Sequence, residues 1–476
     1  MRDILAKIEA RGGVINSGII QDVLEAKSGA DIRTKQLYNR YKTTQVPIFD
    51  REFEANESAN KINNKINNDF FSEIVDTKVG YMFGNPISYQ LDKVDNRAKQ
   101  EISDFNIRNN VEDTDSETGK MSTICGVSYR LLYIDSDGKE RILKIPAWEG
   151  ALIYENDVNE PVYGMRYYMV TDFKTEDGRD IETSEGERRL KVEWYDDEFV
   201  TFYKEISGEF VLDPDEEVNP QRHMFGGVPL IAFPNNEEWQ GDCEKVLELI
   251  DAYDRTISDI NSELESFRLA YMAFYGCEPD EETIAMARQT GAFGIAAANE
   301  GTKIEFITKQ LNDVAVENHL NRLEMNILRF AKSVNFTDKE FANNSSGVSL
   351  KYKLMALNNK VSTATRKFTT GLRRQFKLLA NSWAVKGIKL NYLDIFFSFK
   401  PNLPVDIDNE ADATSKLKGL VSEKTRLGLL TFVDDVDFEI REMEKDNEAN
   451  IDLNNFMSND SEDNTDEGED GESIAR

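Results

Sequence analysis

Two stretches of this chain repeat apolar residues at alternating spacings of four and three. Val246, Ile250, Tyr253, Ile257, Ile260, Leu264, Phe267 and Tyr271 form the first; Val316, Leu320, Leu323, Ile327, Phe330 and Val334 form the second. A 3.5-residue repeat draws one narrow apolar edge along a helix, and such an edge needs a matching edge to cover it. The first stretch predicts a helix of about 30 residues, roughly 45 Å long at 1.5 Å per residue, opened by the cap-like Asp242. Two long helices with matching seams pack against each other or against neighbouring copies of the chain.

Charge narrows the function. Among 476 residues, 57 Lys and Arg stand against 88 Asp and Glu, a net charge of −31. A surface so acidic does not grip nucleic acid by counterion release, so tight non-specific DNA binding by the whole molecule is not expected, although local basic patches remain open. Hydrophobic residues at 40% suffice for sizeable cores, and the length predicts roughly two to four domains. No window approaches the roughly 18 apolar residues of a membrane span, and Met1-Arg2-Asp3-Ile4-Leu5 opens no signal peptide, so a cytosolic product is expected.

Catalytic signatures are absent. Cys125, Cys243 and Cys277 lie too far apart in sequence for a CxxC pair and read as buried thiols. His223 and His319 are the two histidines, read as structural, which leaves little room for a zinc site or a Ser/His/Asp triad. Gly119-Lys120 and Gly138-Lys139 lack the flanking pattern of a P-loop. No catalytic residue, metal or cofactor is expected. A metal-dependent nuclease hidden among the acids stays an alternative that counting does not remove.

Along the chain, residues 1 to about 115 read as helical, with Ile19, Ile20, Val23 and Leu24 and then Phe70, Phe71, Ile74, Val75 and Val79 at helical spacing. An Asn-rich stretch, Asn56 to Asn68, separates them. From Gly126 the period becomes two. Val127 to Tyr133, Arg141 to Ile145, Tyr163 to Val170, Arg188 to Trp194 and Phe199 to Glu205 predict one antiparallel sheet ending near Phe233-Pro234. Between the seams, 276–310 reads as a small α/β insertion. An acidic helix starts at Pro279, and a hairpin pairs Gly294 to Ala298 with Lys303 to Ile307.

A third periodic helix runs through Leu350, Leu354, Leu357, Val361, Ala364 and Phe368 after the polar stretch Asn343-Asn344-Ser345-Ser346-Gly347. From Leu350 to Lys400 there are eleven basic residues and one acid, Asp394. Lys353, Lys360, Lys367 and Arg374 fall seven apart, with Lys351, Arg366 and Arg373 beside them, so the cations form a stripe. The stripe suits contact with phosphates, or salt bridges to acids such as Asp251, Asp254, Asp259 and Glu265. Tyr392 to Lys400 reads as a strand, and a helix follows from Asn409 through Leu420. Asp434 to Arg476 carries seventeen acids against three basic residues; its first half can be helical up to Asn450, and its end from Ser458 is expected to be disordered.

Several motifs in this order resemble portal proteins of tailed double-stranded-DNA bacteriophages, in particular siphophages of Gram-positive hosts. They are Asn67-Asn68-Asp69-Phe70 through Gly84-Asn85-Pro86, Gly227-Val228-Pro229-Leu230-Ile231 with Asn235-Asn236, and Ser346-Gly347-Val348-Ser349-Leu350 through Leu354. Phe399-Lys400-Pro401-Asn402-Leu403-Pro404 and Phe432-Val433-Asp434-Asp435 complete the set. The resemblance implies a mainly helical α+β subunit of a ring of about twelve copies at one capsid vertex, assembled in the host cytoplasm. Double-stranded DNA would pass along the ring axis. It implies a wing at 1–235, a stem at 236–275 and 311–334, and a clip at 276–310. A tunnel loop and helix at 335–386, a strand with a small crown of one helix at 387–457 and a disordered tail at 458–476 complete the division. The tunnel loop would be Asn343 to Val348 (Asn343, Asn344, Ser345, Ser346, Gly347, Val348). Motor docking would fall on Glu278, Asp280, Glu281 and Glu282, and the oligomer seam on Val246, Ile250, Tyr253, Ile257, Ile260 and Leu264. Implied partners are the terminase large subunit, scaffolding and major capsid proteins and a head–tail adaptor, with no membrane. A scaffold that oligomerises without a channel is the alternative.

Overall fold

Most of the described runs with a clear period fold as that period dictates, and several caps are where turn residues place them. The structure is a computed structural model that describes residues 2–52, 62–91, 95–156, 160–173, 186–267, 271–275, 281, 282, 284, 285, 303–307, 313–335, 352–403, 407–430, 433 and 436–459. Helices α1 (Arg2–Ala10) and α2 (Ser17–Tyr41) come first, and the Asn16 side chain caps α2 by accepting from Ile19 N at 3.1 Å. Asp69 caps α3 (Phe70–Phe83). After strand β1 (Ser88–Leu91) come α4 (Asn96–Arg108) and α5 (Val111–Cys125). Gly126 ends α5 at φ +87°, and a Cβ there would strike the Trp239 carbonyl, so glycine is required twice over.

The period-two region makes two sheets where the sequence predicts one. Strand β2 (Val127–Ile134) pairs antiparallel with β3 (Glu140–Ile145). Five further strands, β4 (Gly150–Tyr154), β5 (Pro161–Asp172), β6 (Glu187–Tyr195), β7 (Phe199–Ile206) and β8 (Glu209–Leu212), run in that order in a second sheet, with β9 (Gln221–Arg222) on β7. Strand β10 (Leu230–Pro234) then returns to the free edge of β2. Both edges of β2 are thereby used, and β4 begins a new sheet. Helices α1 and α2 cover one face of that sheet through Ile8, Ile19, Ile20 and Val23, packed with Ile153, Met165 and Trp194.

Helix α6 (Leu247–Phe267) is followed by strand β11 (Tyr271–Tyr275), which pairs antiparallel with β12 (Lys303–Ile307). This corrects one expectation, since Tyr271 lies on a strand instead of ending the seam; 303–307 pairs with the segment that follows the first long helix. The proposed partner strand, 294–298, and the loop 343–348 lie outside the described residues. Helices α7 (Asp313–Ala331) and α8 (Met355–Val385) come next. Strand β13 (Ile395–Ser398) pairs with β1 across some three hundred residues of sequence. The chain ends, as described, in α9 (Ile407–Lys416), α10 (Glu423–Leu427) and α11 (Val436–Asn459). The expected helix 409–420 therefore stops at Lys416, and the last one runs past Asn450. More than one helix follows residue 404.

Helix α8 lies across β10 and β2. Leu357, Phe368, Leu372, Phe376, Leu379 and Trp383 are buried in one core with Phe105, Phe225 and Phe233. Gly371 permits the close approach, since a Cβ there would sit 2.5 Å from the Phe233 ring. Beneath it Arg130 is fully buried, stacked 4.5 Å from the Phe233 ring, paired with Asp115 at 2.6 Å and bonded to Gln375 at 3.1 Å. Two motifs of the resemblance meet here as well: Asn402 N donates to the Tyr81 carbonyl at 2.9 Å, and Asn85 Nδ2 to the Pro401 carbonyl at 3.3 Å.

Candidate functional site

The first seam is spent in two halves. Val246 and Ile250 are buried in the chain's own core, and Tyr253 sets its ring edge-on to Phe70 at 4.9 Å. Ile257 and Ile260 are half-buried, and Leu264 is 54% exposed. Helices α6 and α7 pack together, with Leu320, Leu323 and Ile327 of α7 buried. Phe330 departs from the predicted seam and is exposed, while Leu328 and Ala331 are buried in its place. A straight helix drifts about 20° per heptad against a 3.5 repeat, so the covered face rotates away from the strict seam toward the end of α7.

Beside the seam runs a second stripe that sequence reasoning missed. Asp254, Ser258 and Ser262 stand four apart on α6, and the segment 62–68, which belongs to no helix or strand, runs antiparallel along them. Asn64 N donates to Ser262 Oγ at 3.0 Å, Ile66 N to Ser258 Oγ at 3.0 Å, and Asn68 N to Asp254 Oδ1 at 2.8 Å. The pitches match: four helical residues rise about 6 Å, and two extended residues span about 6.6 Å. A signal was present in the repeat Lys61-Ile62-Asn63-Asn64-Lys65-Ile66-Asn67-Asn68, whose equivalent Asn64 and Asn68 face Ser262 and Asp254, eight residues apart on α6.

This strap and its neighbours take up the acids of α6. Asp251 pairs with Arg40, Asp259 with Arg51, and Glu265 accepts from Asn64 Nδ2 at 2.9 Å. Asp254 is fully buried, and its carboxyl is raised, first by burial, against the opposing bonds from Asn68. None of the four acids named as partners for the basic stripe is bound to it within the described chain.

The stripe on α8 finds other partners. Lys360 Nζ lies 2.8 Å from Asp242 Oδ2 and 2.5 Å from the Ala331 carbonyl at the C-terminal end of α7. Fully buried Lys78 reaches the same carboxylate at 3.2 Å and Asn235 Oδ1 at 2.5 Å. Asp242 is thus the hub of a buried ion cluster where α6, α7 and α8 meet. It is not the helix cap the sequence predicts: a 3-10 turn, Glu244–Val246, precedes α6. Burial alone would raise the Asp242 carboxyl, but Lys78 and Lys360 outweigh it and hold it below its ordinary value. Lys367 pairs with Glu237, and Arg374 with Glu160. Lys353 is half-buried, and Arg366 and Arg373 are exposed, with no ion pair among the described residues for those two arginines.

Of the remaining candidates, Glu281 and Glu282 are exposed on a short helical stretch. Glu278, Asp280, Cys277, Lys351 and the loop Asn343 to Val348 lie outside the described residues. Cys125 and Cys243 are buried, with thiols raised by burial. His223 is buried with its Nε2 3.2 Å from the Asp196 carbonyl, and burial lowers its pKa; His319 is exposed on α7. Among the described residues no group of His, Cys, Asp and Glu could hold a metal ion, and no helix is long and apolar enough to cross a membrane.

The chain is similar to known proteins over most of its length. The family profile described as "Phage portal protein, SPP1 Gp6-like" matches residues 25–453. The portal protein of Bacillus phage SPP1 is 24% identical over 396 residues, covering 78% of this chain and 74% of that protein. The portal protein of Clostridium phage phiCD119 is 23% identical over 384 residues, covering 78% and 82%.

Proposed function

The chain belongs to the SPP1 Gp6-like family of phage portal proteins, and on that premise we propose how its parts form a ring-shaped channel at one capsid vertex. It is a structural head component through which DNA is packaged, retained and ejected, and it is not an enzyme. Helices α6 and α7 form the stem, and the α/β piece between them, with exposed Glu281 and Glu282, forms the clip that docks the terminase large subunit. The region up to 235 is the wing, α8 the tunnel helix, and Asn343 to Val348 the tunnel loop at the narrowest part of the channel. Helices α9 to α11 make a small crown. Scaffolding and major capsid proteins and a head–tail adaptor bind the outside of a ring of about twelve copies.

The observation that carries this reading is the divided seam. Its first half closes the subunit's own core, and its second half, ending at Leu264, is left half-buried or exposed on a long helix. An apolar edge on one face, met by a different face of the next copy, gives a head-to-tail contact that closes into a ring. A wall as acidic as this chain lets DNA slide by keeping phosphates from binding. Native mass spectrometry and negative-stain images of the purified protein should show rings with a central hole. Leu264→Asp should shift the population at least tenfold toward monomer, because it places a charge in an apolar contact without touching the subunit core. A monomer from the unmutated chain at micromolar concentration, across salt, overturns the reading, and rods would favour a channel-free scaffold.

A further inference from the structure

A cleft of ≈ 610 Å³ runs between α8 and the strands beneath it. Its floor is apolar and aromatic, built from Tyr154, Leu230, Ala232, Pro234 and Trp239. Its wall is α8, which contributes Lys367, Thr370, Arg373, Arg374 and Lys377. From Lys367 to Lys377 the helix rises about 15 Å, so four cations stand in a row along one side of the cleft.

Two acids face that row. Glu237 pairs with Lys367, and Glu160 with Arg374 and Lys377 at its rim. Their side chains are 78% and 50% exposed. The pairs of Lys367 and Lys377, whose side chains are about a third exposed, lie close to water and are weak, while Arg374 is held more deeply. Arg373 is exposed and has no acid partner among the described residues. The cleft is therefore a basic, apolar-floored trough in a chain whose net charge is −31.

We propose that the trough holds the chain's own acidic C-terminal segment, residues 460–476. That segment follows α11 directly and carries eight acids and one base, Arg476. Four of its acids fall within the five residues Asp466 to Asp470. Extended at about 3.3 Å per residue, five residues span about 16 Å, the length of the cation row. An extended chain can lie on the apolar floor with alternate carboxylates turned to α8. A duplex cannot enter a trough of this volume and would meet only its rim.

Photo-crosslinking in the full-length chain tests this. Benzoylphenylalanine placed at Thr370 should join, by mass spectrometry, to the terminal fragment that follows Lys445. The chain ended at Met457 should then bind a fluorescent peptide of residues 458–476. Arg373→Glu should weaken that binding at least tenfold with an unchanged melting temperature, and added salt should weaken it too. The same peptide with its acids replaced by Asn and Gln should not bind. The proposal is overturned if the crosslink goes elsewhere, if Arg373→Glu binds the peptide as the parent does, or if the amide peptide binds equally. A short DNA duplex that displaces the acidic peptide at lower concentration would assign the trough to nucleic acid instead.

Discussion

Asp242 shows how much one side chain settles here. It is a fully buried carboxylate shared by Lys78 and Lys360. Asp242→Asn would leave Lys78 buried without its counter-charge. Removing one partner of a buried pair costs about 3–5 kcal/mol, which urea denaturation would measure. Replacing Lys78 by Met in the same chain should return part of that loss. The pH dependence has a definite sign. A carboxyl held below its ordinary 3.8 in the folded state contributes stability that is present above 3.8 and is lost as the pH falls through the lower folded value. Asp242→Asn should therefore be less stable at neutral pH and should show a shallower loss on acidification.

At the scale of elements, the strap on α6 explains why this helix carries Ser and Asp beside its seam. Ser258 Oγ accepts from Ile66 N at 3.0 Å and donates to the Asp254 carbonyl at 2.6 Å. Ser258→Ala would leave the Ile66 N–H without its acceptor at a partly buried position, a cost of about 1 kcal/mol. Amide exchange at 62–68 should accelerate while exchange within β2 and β10 stays slow, because the strap's N–H groups bond to α6 side chains and those of β2 and β10 to each other. Equal protection of 62–68 in the variant and the parent would show that side chains, not these backbone bonds, hold the strap. A hydrophobic substitution at Ser262 should act in the same direction through the bond to Asn64 N.

For the whole molecule, the charge pattern separates surfaces by task. The acids of α6 are engaged with the N-terminal region through Arg40, Arg51, Asn64 and Asn68, and the cations of α8 with Asp242, Glu237 and Glu160. Glu281 and Glu282 are exposed beyond the stem helices, in the piece proposed to meet the packaging motor. Reversal of both to Lys should leave ring assembly unchanged and reduce stimulation of the packaging ATPase several-fold. Equal stimulation by variant and parent rings would remove those residues from the contact.

The sequence by itself determined what depends on neighbours close along the chain. The 3.5-residue seams became α6 and α7, Lys360, Lys367 and Arg374 became one side of α8, and alternation became strands β2, β3 and β5 to β7. Periodicity acts through local backbone geometry, so it is legible without a partner. The order of the quoted motifs was legible too, as a family likeness. The tertiary structure decided which charge meets which. Asp242 reads as a cap because a carboxylate before an apolar run normally is one, yet burial between Lys78 and Lys360 gave it a different role. Lys367 and Arg374 took their acids from loops 130 and 214 residues away, at Glu237 and Glu160. Strand 303–307 pairs with 271–275, and β13 with β1. Ion pairs and strand pairings are set by distances that close only when distant elements pack, and no spacing along the chain encodes them.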